Sequence, residues 1–97
     1  MTHYNKANIS NALGTHAKDW LWDTGCIKTS LVFKDFKTAF DFMSKVADMA
    51  EKIGHHPDWK NSYNRISISL RTHDKNAVTA LDVALAKQIS MLYKSLK

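Results

Sequence analysis

Arg65-Ile66-Ser67-Ile68-Ser69-Leu70-Arg71 alternates without a break. Ile66, Ile68 and Leu70 fall on one side, and Arg65, Ser67, Ser69 and Arg71 on the other. That is the period-two pattern of a strand with one face buried and one in water. A strand of this kind belongs to an antiparallel sheet, whose apolar face another layer must cover. Just upstream, Trp59 to Tyr63 reads as a shorter strand able to pair with it through a tight turn near Asn64.

Further out, Trp20 to Asp23, Gly25, then Cys26 to Phe33 reads as a second hairpin of unequal strands, with Ile27, Thr29, Leu31 and Phe33 on one face. Asp35 follows as an N-cap. Phe36, Phe40, Met43, Val46, Ala47, Ala50 and Ile53 then recur at intervals of three and four, the stripe of an amphipathic helix that Gly54 ends. A last helix carries Leu81, Leu85, Ile89, Leu92 and Leu96. Thr79 and Asp82 form its capping box, with Val78 and Val83 in the staple positions. Asn5 to Leu13 reads as a short first helix. The spacing therefore predicts helix, two strands, helix, two strands, helix: an α+β fold with an antiparallel sheet covered by helices. Ile27, Leu31, Phe33, Ile66, Ile68 and Leu70 are expected to face Phe40, Val46, Leu85 and Leu92.

The 97 residues make one domain, 1–97, with three glycines, one proline and no linker or repeat. No apolar run approaches the roughly 20 residues of a membrane span. Residues 1–10 carry no signal-peptide core, and Cys26 stands alone, so a cytoplasmic protein is expected, with the nucleus also open. The formal charge is +5, but the lysines are scattered singly, which argues against a nucleic-acid partner.

Chemistry gathers at the element junctions. Glu51 lies in the last turn of the long helix, His55-His56-Pro57 follows it, and Thr72-His73-Asp74 lies where the best strand ends. Glu51 and His55, four apart, share a face if the helical path persists. Imidazoles that titrate near neutrality can donate or accept protons. Three histidines and a glutamate could also form a zinc shell, but adjacent histidines seldom reach one ion, and no HExxH or HxH spacing is present. No metal is expected.

The run Glu51-Lys52-Ile53-Gly54-His55-His56-Pro57-Asp58-Trp59, with Tyr63-Asn64-Arg65, Thr72-His73-Asp74 and Thr79 through Asp82, resembles the pterin-4a-carbinolamine dehydratase family. Trp20, Phe33-Lys34-Asp35-Phe36, Ala39-Phe40, Phe42-Met43 and Val46-Ala47 extend the resemblance over roughly residues 13 to 96. It implies a four-stranded antiparallel sheet with three helices on one face, in the order α-β-β-α-β-β-α. It further implies dehydration of a 4a-hydroxy-tetrahydropterin to the quinonoid dihydropterin, without a cofactor. In that reaction His55 and His73 are the acid–base pair and Glu51 orients one of them. His56, Pro57, Trp59, Arg71, Thr72 and Asp74 line the pterin site. Assembly as a homodimer or homotetramer is implied as well. Two positions depart from the family pattern: Arg71 stands where a small hydroxyl residue is common, and Lys75-Asn76-Ala77 lacks a Gly-Gly pair. The family also includes members that bind and stabilise a transcription-factor dimer, so a protein-binding module is the alternative reading.

Overall fold

The computed structural model describes residues 3–96. Along the chain run β1 (His3–Tyr4), α1 (Ile9–Leu13), a 3-10 helix (Gly14–Asp19), β2 (Leu21–Asp23), β3 (Cys26–Val32), α2 (Phe36–Ile53), β4 (Asp58–Ser62), β5 (Arg65–Leu70), β6 (Val78–Thr79) and α3 (Ala80–Ser95). Strands β2, β3, β5 and β4 form, in that order, one antiparallel sheet.

The register follows from the alternation in β5. Ile27, Thr29 and Leu31 stand opposite Leu70, Ile68 and Ile66, so the apolar side chains of both central strands share one face. These aliphatic residues are buried in one cluster with Phe42, Val46, Leu85 and Ile89 of the helices. Lys28 and Ser30 stand opposite Ser69 and Ser67 on the other face, which the helices leave open. A one-residue slip would expose Ile66, Ile68 and Leu70 together, so burial fixes the register.

The expected three α-helices and four-stranded antiparallel sheet are present, with three additions: β1, β6 and the 3-10 helix. β1 and β6 pair with each other, His3 opposite Thr79 and Tyr4 opposite Val78, as a separate two-stranded ladder. Two-residue strands carry no periodicity, so nothing in the sequence announces them. The first helix is also shorter than Asn5 to Leu13. The Asn5 carboxamide accepts from Ala7 N–H (2.9 Å) and Asn8 N–H (3.0 Å), and this local turn displaces the helix start to Ile9.

The long helix starts and stops where its caps direct. Asp35 accepts from Thr38 N–H at 2.8 Å, and Gly54 takes the left-handed conformation at φ 74°. Its buried face is corrected, however. Ala39, Phe42, Val46 and Ala50 are buried, whereas Phe40 is 53% and Phe36 49% exposed. Val46 and Ala50 belong to both stripes, but the centre of the buried face is turned by roughly 50° from the expected one, counting about 100° per residue. Phe42 is the reason: it meets Phe33 (ring centroids 5.0 Å apart) and Tyr93 (6.1 Å), an aromatic contact assembled from three elements. Phe36 and Phe40 stack on each other outside, with centroids 6.0 Å apart. In α3, Leu85 and Ile89 are buried and Leu92 is partly buried.

Candidate active site

Three imidazole–carboxylate pairs lie at the end of the molecule where α2 stops, β4 begins and α3 starts. Gly54 reverses the chain, and His55 N–H closes on Ala50 C=O at 3.1 Å. The helical path therefore ends before His55, whose ring goes inward. Its Nε2 meets Asp82 Oδ1 at 2.5 Å, with the two side chains 9% and 0% exposed. Glu51 stays on the outside of the last turn, where its Oε2 meets His56 Nε2 at 2.5 Å. The shared face expected for Glu51 and His55 is thus corrected: the glutamate's partner is His56. That pair is more than half exposed on both sides, so it contributes little to stability.

Asp82 ties the site together. The capping box is formed as expected, with Thr79 N–H donating to Asp82 Oδ2 at 2.8 Å and Leu81 N–H donating to Thr79 Oγ1 at 3.3 Å. The same Oδ2 also accepts from Thr72 Oγ1 at 2.9 Å, and Thr72 and Thr79 share a hydroxyl contact of 2.7 Å. Because the carboxylate only accepts, Thr72 donates to Asp82, and Thr79 donates to Thr72. Every polar atom of this cluster facing Asp82 is satisfied, as burial requires. The segment carrying His55 is thereby joined to the strand end carrying His73.

A second tie crosses the same gap, from Asp58 Oδ2 to His73 Nε2 at 2.9 Å, with both side chains more than half exposed. Asp58 follows Pro57, so the two ties hold residues 55–58 against Thr72 and His73. The loop after His73 closes tightly. Thr72 and Ala77 pair through Thr72 N–H to Ala77 C=O at 2.8 Å, and Asn76 takes φ 50° where a glycine is otherwise favoured. Arg71 donates to the Asn76 carboxamide at 3.1 Å, so the two departures from the family pattern meet each other.

An open cleft of about 420 Å³ lies on the uncovered sheet face, lined by Asp58, Trp59 and Lys60 with Lys28, Ser30 and Ser69 among others. It meets the histidine cluster at Asp58, while His55, His56 and Thr72 lie outside its lining. Trp59 belongs to this cleft and also packs against the core. Tyr63 sits in the turn at the far end of the β4–β5 hairpin, 65% exposed, and takes no part in the cluster. His56, Asp74 and His73 are exposed and Pro57 is partly exposed. Asp58 and Asp82 are the two residues that sequence reasoning passed over as site groups. Asp82 was legible as a cap, and Asp58 only as the neighbour of His-His-Pro. Among the described residues, no group of three His, Cys, Asp or Glu side chains is placed to hold a metal ion. No helix among them is long and apolar enough to cross a membrane.

Residues 2–92 match the family described as pterin 4 alpha carbinolamine dehydratase. Among curated relatives, a protein of Synechococcus sp. (strain WH7803) is 49% identical over 87 residues, 90% of this chain and 89% of that protein. One from Prochlorococcus marinus (strain NATL2A) is 50% identical over 76 residues, 78% of this chain and 80% of its own. Both bear the name "Putative pterin-4-alpha-carbinolamine dehydratase". Among solved structures, a Brucella melitensis "transcriptional coactivator/pterin dehydratase" superposes with a TM-score of 0.85 at 39% identity, over 95% of this chain and 99% of that one. With nearly its whole length matched in sequence and in fold, the chain belongs to the pterin-4-alpha-carbinolamine dehydratase family.

Proposed function

We propose that the protein dehydrates 4a-hydroxy-tetrahydropterins to quinonoid dihydropterins, with His55 and His73 as the acid–base pair. The observation that carries this reading is the joint anchoring of those two histidines. His55 is held by buried Asp82, His73 by Asp58, and Thr72 links the two segments. The reaction needs such a pair. One proton goes to the departing hydroxyl on ring carbon 4a, and another leaves the adjacent ring N–H. The C–O bond breaks, water departs, and no electrons are exchanged with a cofactor. A positioned imidazole supplies either transfer near neutral pH.

His56, Pro57, Trp59, Arg71 and Asp74 line the pterin site in this reading. Glu51 orients His56 rather than either member of the pair. Thr72 acts through its hydroxyl bonds to Asp82 and Thr79, which leave it structural as well as adjacent to substrate. The test is a spectrophotometric dehydration assay on chemically generated carbinolamine. His55→Ala and His73→Ala are each expected to cut the rate about 10²–10⁴-fold. If both variants keep the full rate over background, the site is not catalytic and the reading falls.

Assembly as a homodimer or homotetramer belongs to the same proposal, supported by the exposed Phe36–Phe40 ring pair and the outer edge of β4, which no strand among the described residues pairs. Sedimentation showing only an 11.0 kDa species at micromolar concentration would contradict it. A coactivator role, which the Brucella protein's name includes, would use such a surface. It gives no purpose to the buried imidazole–carboxylate pair, so the enzymatic reading stands first.

A further inference from the structure

We infer that Asp82 is a positioning residue that fixes the tautomer of His55, making its Nδ1 the proton-accepting atom of the site. The helix cap explains only half of this carboxylate. Oδ2 serves the cap and Thr72, while Oδ1 is given wholly to His55 Nε2 at 2.5 Å, in a side chain that is 0% exposed. An ionised carboxylate can only accept, so Nε2 must carry the proton. The lone pair of the neutral ring then lies on Nδ1.

Nδ1 is also the atom that is open. Among the described residues the His55 ring makes one side-chain hydrogen bond, through Nε2, and none through Nδ1. Among the described residues, however, only Asp19 Oδ2, which is ion-paired with Lys94, is a buried side-chain polar atom without a hydrogen bond. The little exposure His55 retains therefore includes Nδ1. A ring gripped at one nitrogen by a buried acid, with its other nitrogen reaching the surface as an acceptor, is built to take a proton from outside.

This assignment gives His55 the role of base. The proton of the pterin ring N–H moves to Nδ1, and the resulting imidazolium is held by the Asp82 carboxylate until water removes the proton. The electron pair released at nitrogen forms the new C=N bond. The C4a–O bond breaks, and its oxygen leaves as water with a proton supplied by His73. The kinetic part rests on the dehydratase reading above; the tautomer does not.

The test uses the full-length chain, ¹⁵N-labelled at histidine, as wild type and as Asp82→Asn. In the variant the carboxamide oxygen can keep the bonds from Thr79 N–H and Thr72 Oγ1, while its NH₂ faces Nε2 as a donor. That reverses the tautomer and places hydrogen on Nδ1. Long-range ¹H–¹⁵N spectra are expected to show His55 as the Nε2–H form in the wild type and the Nδ1–H form in the variant. The variant's kcat is expected to fall about 10²–10⁴-fold, with KM changed far less. A wild-type His55 in the Nδ1–H form overturns the inference, and that measurement needs no variant to fold. A reversed tautomer with unchanged kcat overturns the role of Nδ1. If the wild type fails to dehydrate carbinolamine at all, the functional reading fails, while the spectra still decide the tautomer.

Discussion

Replacing Asp82 with alanine separates a buried keystone from an ordinary helix cap. An exposed N-terminal capping residue is worth about 1 kcal/mol, because water takes over the freed N–H. Here both Thr79 and Asp82 are 0% exposed, so water does not reach Thr79 N–H in the folded state. An orphaned buried donor costs about 1–3 kcal/mol. The same substitution strips His55 Nε2–H and Thr72 Oγ1–H of their acceptor. Thr72 can turn toward Thr79, but His55 has no second partner at that nitrogen. Removing one member of a buried pair costs about 3–5 kcal/mol, which brackets the expected loss. For a domain of this size each kcal/mol is about 4–8 °C in Tm, so the melting point should fall by roughly 12 °C or more. Urea denaturation followed by far-UV circular dichroism, with the m-value unchanged, reads the loss directly. His56→Ala, removing an exposed partner, should stay within about 0.5 kcal/mol and serves as the control. A loss of only about 1 kcal/mol for Asp82→Ala would refute the reasoning, since Asp82 would then be a cap and nothing more.

The corrected face of α2 gives a second test: Phe42→Ala should cost about 3–5 kcal/mol by the same denaturation, while Phe40→Ala costs a small fraction of that in the monomer. Comparable losses at the two positions would return the helix to the face expected from sequence. The Asp35 carboxyl is held below its ordinary 3.8 by the hydrogen bonds from Thr38. Its cap therefore contributes fully above about pH 4 and is lost as the pH falls through the lower folded value. Asp35→Asn, an equally good cap without a titrating group, should flatten that part of the Tm–pH curve. Dehydration should survive exhaustive chelation, because the histidines act on protons; stoichiometric zinc whose removal abolishes the rate would overturn that.

The alternation of residues 65–71 was enough to determine a one-faced antiparallel strand, because a period of two leaves only two ways to orient it and burial rejects one. Caps were equally legible. Asp35, Gly54 and the Thr79–Asp82 box act within three or four residues of their targets, so local chemistry decides them. The list His55, His56, His73 was also readable, since histidines at element ends stand out from the pattern around them. Which way each ring turns was not. Glu51 and His55 are four apart, yet the left-handed Gly54 turns the chain between them and hands the glutamate to His56. Asp82 lies 27 residues from His55, and no local rule links them. The rotation of α2 was decided the same way. Phe40 and Phe42 are equally apolar, and only the placement of Phe33 and Tyr93 by β3 and α3 makes one of them core. Periodicity fixes what a segment is, because it depends on neighbours along the chain. Partner choice depends on surfaces brought together from distant segments, and only the packed structure holds that information.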